Sequence, residues 1–233
     1  MTMHCRSFVY VIALLLLCSS IQAQERLYSV SLCGSFTTSA KLFYAPDDPD
    51  YFSRHLYLPI DNTFGFGFDI RRSIEETGLQ IGVSAEYLSK TEQFTLPQTS
   101  IKVNDGFIAV PIEATGYFII PFSSDDVQLY MGGGGGVYWG TRIYDYNSIK
   151  AQVTGRKLGY GIHILSGLQY NFHPLFALRS EVKFRDIQFT VTNAFPPNGR
   201  QGILATNQNS TLPFNSRISI DGMQISLGLV SKF

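Results

Sequence analysis

The ten residues Phe176-Ala177-Leu178-Arg179-Ser180-Glu181-Val182-Lys183-Phe184-Arg185 carry four charges, every one of them at an alternate position. Phe176, Leu178, Ser180, Val182 and Phe184 share one face at period two, and Ala177, Arg179, Glu181, Lys183 and Arg185 share the other. Such alternation marks a β-strand, in which successive side chains point to opposite sides. One face apolar and one ionic means two different surroundings.

Seven further stretches alternate in the same way: residues 28–37, 64–71, 79–87, 110–118, 129–138, 160–169 and 223–233. Summed over the eight, one face has no charged residue, while the other collects Asp69, Arg71, Glu86, Glu113, Arg179, Glu181, Lys183, Arg185 and Lys232. A Lys or Arg on a lipid-facing barrel position at the bilayer midplane costs roughly 2 to 4 kcal/mol, so lipid would impose that exclusion. The apolar face is therefore read as the outside. Bulk agrees, because Phe, Tyr, Ile and Leu crowd that face while Gly and Ser enrich the other. The pattern predicts an all-β fold, an eight-stranded antiparallel up-and-down transmembrane β-barrel. Its lumen should be just wide enough for side chains to fill. Glu86 and Glu113 are expected to face Arg179, Lys183 and Arg185 there, with Asp69, Arg71 and Glu181 in the same structural charge network. The run Gly132 to Gly136 would normally argue against a strand interior. Its flanks, Leu129-Tyr130-Met131 and Val137-Tyr138-Trp139, restore the pattern, and bare backbone gives larger neighbours room.

Connection lengths supply an independent test, since outer-membrane barrels have short periplasmic turns and longer outer loops. Residues 39–58, 89–105, 141–157 and 187–215 read as long connections; residues 73–78, 121–126 and 171–175 read as short ones. Long and short alternate along the chain. The Asn, Gln and Pro-rich stretch 192–213 reads as an external loop.

Residues 1–23 read as a secretory signal peptide, with His4 and Arg6 ahead of an apolar run from Phe8 to Cys18 and a small-residue cleavage site after Ala23. The barrel domain would then occupy residues 24–233. The 233 residues include 18 Lys plus Arg against 18 Asp plus Glu, without the basic footprint that phosphate backbones require. Nucleic acid is not an expected partner. Cys33 is the only cysteine after residue 23, so no intramolecular disulfide or cysteine-rich zinc site is expected. No cofactor is implied. His163 should point inward near Glu113 or Glu181, but no G-x-S-x-G, H-E-x-x-H or phosphate loop accompanies it, so no enzyme is expected. Asp47, Asp48 and Asp50 lie beside Tyr44, Tyr51 and Phe52 without the closing Glu of a calcium loop, which favours a solvated loop.

Three segments carry a family resemblance: Val110-Pro111-Ile112, the run from Tyr130-Met131-Gly132 to Tyr138, and the terminal Leu227-Gly228-Leu229-Val230-Ser231-Lys232-Phe233. The chain from residue 24 resembles the small outer-membrane barrels of the OmpA/OmpX type, in particular the porin-like barrel domains of Bacteroidota-type bacteria. The resemblance implies residence in the outer membrane, outer-membrane lipid as surroundings and the barrel assembly machinery as a partner during biogenesis. It also implies that Ile225, Leu227, Leu229 and Phe233 form the C-terminal signal read by that machinery, with Ser231 departing from its apolar preference. The expected role is structural or surface-interacting, through extracellular loops whose partner the sequence does not name. A transporter of small solutes, hydrophobic ones included, is one alternative. A soluble lipocalin-like barrel with its apolar face inward is the other.

Overall fold

A computed structural model describes residues 27–74, 77–96, 100–121, 123–124, 126–196 and 213–233. The expected signal peptide and most of the stretch 192–213 lie outside the described residues. Strands β1 (Tyr28–Phe43), β2 (Tyr57–Ile74), β3 (Leu79–Thr95), β4 (Lys102–Ile119), β5 (Val127–Tyr146), β7 (Gln152–His173) and β8 (Phe176–Ala194) follow one another in an antiparallel sheet. The last wall is shared by β9 (Phe214–Ile220) and β10 (Met223–Lys232), both of which pair with β8 on one side and β1 on the other. The ring thus closes with eight walls. A two-residue strand β6 (Ile149–Lys150) pairs with the end of β5, and a single helical turn α1 (Tyr51–His55) connects β1 to β2.

The strands are staggered as a closed barrel requires. Paired positions run from Thr37 through Gln224, Lys183, Leu165, Gly132, Tyr117 and Gln80 to Ser73, whose N–H donates to the Leu27 carbonyl. One circuit therefore returns to the first wall ten residues lower, at 27 against 37, and such a shear accompanies a strand tilt of about 40°. Rows of paired residues climb around the wall.

Outward positions between two aromatic levels carry no charge among the described residues. The lower level includes Tyr28, Phe118, Tyr170, Phe172 and Phe233, and the upper includes Phe36, Phe64, Tyr87, Trp139, Tyr160 and Phe184. The eight steps from Tyr28 to Phe36 cover roughly 26 Å of strand, or about 20 Å of height at that tilt. Aromatic girdles bounding an apolar band of that order are what a bilayer selects. The inward glycines of β5 serve the interior. A Cβ on Gly132 would lie 2.7 Å from the Gly116 carbonyl oxygen and 3.0 Å from the Tyr117 ring, and one on Gly136 would lie 2.9 Å from Cγ of Glu113. Large lumen side chains of β4 take the space those glycines leave.

Of the four connections read as long loops, 89–105 and 141–157 are largely strand, and 39–58 and 187–215 are strand at their ends. β8 continues to Ala194, β5 to Tyr146 and β3 to Thr95, and β7 begins at Gln152. Above the upper girdle the two faces exchange character. On β8 the inward Arg179, Glu181, Lys183 and Arg185 give way to Ile187, Phe189 and Val191, while outward Val182 and Phe184 give way to Asp186, Gln188, Thr190 and Thr192. Hydrocarbon surrounds the lower part and water the upper, so each part puts its less soluble face where that solvent is not. Ala40, Leu42, Ile60, Leu88, Phe107, Ala109, Tyr138, Ile187, Phe189, Val191, Ile218 and Ile220 make a buried apolar core inside the upper part. On β1 and β2 the inward parity itself slips, from Thr37 to Ala40 and from Thr63 to Ile60, at Asn62 with φ 58°.

Candidate functional site

Strand β8 supplies Arg179, Glu181, Lys183 and Arg185 to the lumen because its inward positions are every second residue. Their partners come from β2, β3 and β4 across the barrel. The stagger sorts the eight ionic residues into two storeys. In the lower, Asp69 accepts from Arg179 at 2.9 Å, from Arg71 at 3.1 Å and from the Ser31 hydroxyl at 2.7 Å. Arg71 also reaches Glu181 at 2.5 Å, and Glu181 accepts from the Tyr130 hydroxyl at 2.6 Å. The Arg71 guanidinium lies 3.9 Å from the Tyr117 ring centroid. In the upper, Lys183 bridges Glu86 at 3.1 Å and Glu113 at 2.7 Å, and Arg185 approaches the same two carboxylates at 2.9 and 3.5 Å. Gln224 donates to Glu86 at 3.0 Å and the Tyr138 hydroxyl to Glu113 at 2.9 Å.

All eight residues are buried. Each storey holds two acids and two bases and is neutral in itself, which matters in a medium where an unpaired charge is costly. Arg179 differs from its expected place. It pairs with Asp69 and Gln169 rather than Glu86 or Glu113, because the barrel's shear sets Arg179 level with β2's lower end. Sequence reasoning also missed Ser31, Tyr130, Tyr138 and Gln224, although all four stand on the polar side of the alternation.

His163 lies beside Glu113, with Nδ1 3.8 Å from a carboxylate oxygen, and its Nε2 is 2.8 Å from the Thr115 hydroxyl. Hydroxyl, imidazole and carboxylate so arranged echo a hydrolytic triad, yet 3.8 Å is too long for the orienting hydrogen bond. All three side chains are buried in the lumen.

A third ionic layer lies in the upper part, in segments read as loops. Arg142 grips Asp105 through two hydrogen bonds of 2.8 and 2.5 Å and donates to the Ser216 hydroxyl. Tyr144, Tyr44 and Phe214 surround its guanidinium at 4.4, 5.5 and 5.6 Å. The two side chains are buried to within 2%. At the rim, Asp50 caps α1 by accepting from Ser53 N–H at 2.8 Å, Asp48 accepts from Asp50 N–H, and Asp47 accepts from the Asn215 amide. The Ser53 backbone hydrogen bond, helped by the Ser53 hydroxyl, holds the Asp50 carboxyl below its usual range. The three aspartates thus order a turn, and among the described residues no group of acids, His or Cys is arranged to hold a metal.

Ile225, Leu227 and Leu229 project outward on β10 and are exposed. Phe233 stacks on Tyr28 at 6.2 Å, and the two residues exchange backbone hydrogen bonds of 2.9 and 3.0 Å. The seam between first and last walls is therefore pinned at the lower girdle.

No family model and no curated protein matches the chain. Among solved structures it is similar to Neisserial surface protein A, at 14% identity over 88% of this chain and 97% of that one, with a TM-score of 0.47. It is also similar to Ail, the attachment invasion locus protein of Yersinia pestis, at 14% identity over 90% and 100% of the two chains, TM-score 0.43. A third is the outer membrane protease OmpT from Escherichia coli, at 9% identity over 92% and 99%, TM-score 0.38. The fold stands on the chain's own ring closure, girdles and enclosed charges. By these features the chain is an eight-stranded antiparallel transmembrane β-barrel.

Proposed function

We propose that this chain is an outer-membrane barrel that presents its outer rim to the surroundings and acts as a structural or surface-interacting protein rather than as a conduit. One observation carries the reading: four layers occupy the described lumen. They are the two neutral ion storeys, the apolar core from Leu88 to Ile220, and the Arg142–Asp105 pair in its aromatic cage. A pore needs a polar path, and side chains fill this one. The lipocalin alternative needs the apolar face of the lower barrel turned inward around a ligand, whereas its Phe and Ile side chains point out. In this reading residues 1–23 direct export, and Ile225, Leu227, Leu229 and Phe233 serve assembly in the outer membrane. The extracellular partner is met by α1 and its neighbours, where Phe52 is 82% exposed on a capped turn.

Planar-bilayer recording tests the reading directly. Purified protein should add no stepwise current, and discrete conductance steps from the wild-type barrel would reject it. In intact cells a membrane-impermeant maleimide should label Phe52→Cys in the background of a Cys33→Ser chain. Absence of labelling until the envelope is opened would place that rim on the wrong side.

A further inference from the structure

The lipid-facing wall has a depression across β4 and β5. Their outward positions Ala114, Gly116, Gly133 and Gly135 are small, and they lie in two neighbouring rows of paired residues. One row runs Ile81, Gly116, Gly133, Ile164; the other runs Val83, Ala114, Gly135, Ile162. Branched side chains of β3 and β7 therefore stand as walls beside a floor of nearly bare backbone. Two adjoining apolar grooves of about 580 and 550 Å³ lie over the Ala114 and Gly116 side of that floor and meet at Ile81 and Gly116, the second reaching Ile164 of the Gly133 row.

The packing of the fold does not demand glycine on that floor. A Cβ on Gly116 would meet nothing closer than the Gly133 carbonyl oxygen at 3.9 Å, whereas a Cβ on the inward Gly132 would sit 2.7 Å from the Gly116 carbonyl oxygen. Cβ atoms on Gly133 and Gly135 would need neighbours to yield only slightly, with nearest atoms at 3.3 and 3.2 Å. Strand positions facing lipid favour branched and aromatic residues, which fit a pleated surface. The inward glycines are explained by the lumen; the outward ones leave space on the membrane side.

A cation stands at the foot of that space. Arg72 is outward and exposed, lines the groove beside Tyr28, and holds its guanidinium 5.6 Å from the Tyr28 ring centroid. Among the described residues no carboxylate pairs with it. Tyr28 marks the lower girdle, where hydrocarbon meets headgroups. Because rows of paired residues climb around the barrel, the path from Arg72 through Ile81 to Gly116 and Gly133 rises from that interface into the apolar belt. A guanidinium at phosphate depth, continuous with an apolar groove, complements a phosphate headgroup and its acyl chains.

We propose that this groove is a seat for one phospholipid of the periplasmic leaflet, with its phosphate on Arg72 and an acyl chain lying over Gly116 and Gly133. The site is separate from both the lumen and the outer rim, so it stands whether or not the rim binds a partner.

Native mass spectrometry of the full barrel, released from nonionic detergent after incubation with palmitoyl-oleoyl phosphatidylglycerol, tests the proposal. The wild type should retain one lipid. Arg72→Gln should reduce retention about tenfold, the scale of one lost charge-assisted contact, and Gly116→Leu, which fills the groove, should reduce it on the order of tenfold as well. Gly34→Leu, on the outward face of β1 where a Cβ also meets nothing within 4 Å, should retain lipid like the wild type. Palmitoyl-oleoyl glycerol, which lacks the phosphate, should bind wild type no better than Arg72→Gln binds the phospholipid. Heat-modifiable migration on gels establishes that each variant is folded before it is scored. Failure of the wild type to retain lipid, equal retention by Arg72→Gln, Gly116→Leu and wild type, or equal loss in Gly34→Leu would overturn the proposal.

Discussion

The lower and upper parts of this barrel share one set of walls and follow opposite rules. Between the girdles, side chains such as Leu32, Phe66 and Ile164 face outward while ion pairs fill the centre. Above them, Ile187, Phe189 and Ile218 fill the centre while Asp186, Gln188 and Thr190 face outward. β8 stays antiparallel to its neighbours through both regions and keeps its inward parity from Arg179 to Val191, although its register with β7 shifts between Lys157 and Tyr160 and between Val153 and Gly155. The contrast teaches that the sheet is indifferent to which face is oily; the solvent outside each level decides.

The widest separation between the two regions should come from their centres. Asp69→Ala leaves Arg71 and Arg179 facing each other without their shared carboxylate, and breaking a buried pair in this way costs about 3 to 5 kcal/mol. Urea unfolding in lipid vesicles, followed by Trp139 fluorescence, should show that loss across the whole barrel. Ile187→Ala removes packing from the upper core and should cost about 3 kcal/mol. Hydrogen exchange should then accelerate above the upper girdle and stay slow between the girdles; uniform acceleration would deny the two parts their separate character. Outer faces give a sharper test of sign. Leu32→Arg, midway up the apolar belt, should cost roughly 2 to 4 kcal/mol, whereas Gln188→Arg should change stability by less than about 0.5 kcal/mol. Similar penalties at both sites would mean that the belt ends elsewhere.

The smallest effect belongs to the rim. The Asp50 carboxyl titrates below its usual range in the folded chain, so its capping contribution is present above the ordinary carboxylate pKa and is lost as pH falls through the lowered one. Asp50 is fully exposed, and the change should appear as faster amide exchange in α1 at acid pH while the walls stay protected. An Asp50→Asn chain should lack that pH dependence.

How much of this was legible in the sequence varied with the strength of the solvent contrast. β8 was readable from Phe176 to Arg185 because hydrocarbon on one side and an ionic lumen on the other leave an unambiguous alternation. The same reasoning placed Asp69, Arg71, Glu86 and Glu113 on the inner face, where the structure has them. Above Arg185 the contrast reverses and weakens, so the Thr and Gln residues of upper β8 resembled a loop. Asp105 and Arg142 were overlooked for that reason, although they are among the most buried charges in the chain. The slip of inward parity near Asn62 depends on a single residue with φ 58°, which no period-two pattern registers. Which acid meets which base was also beyond the sequence. Pairing of Arg179 with Asp69 follows from the shear, and shear is a property of the closed ring.

That ring property bears on how the molecule is made. Arg179, Glu181, Lys183 and Arg185 lie on one wall, but the carboxylates and guanidinium that neutralise them lie on β2, β3 and β4, much earlier in the chain. A hairpin containing β8 would enter hydrocarbon with three bases against one acid and without its cross-barrel partners, which makes insertion of β8 ahead of β2, β3 and β4 electrostatically costly. Chemical protection of the lumen residues during assembly should accordingly be gained together on β2 and β8; protection of β8 well before β2 would contradict this.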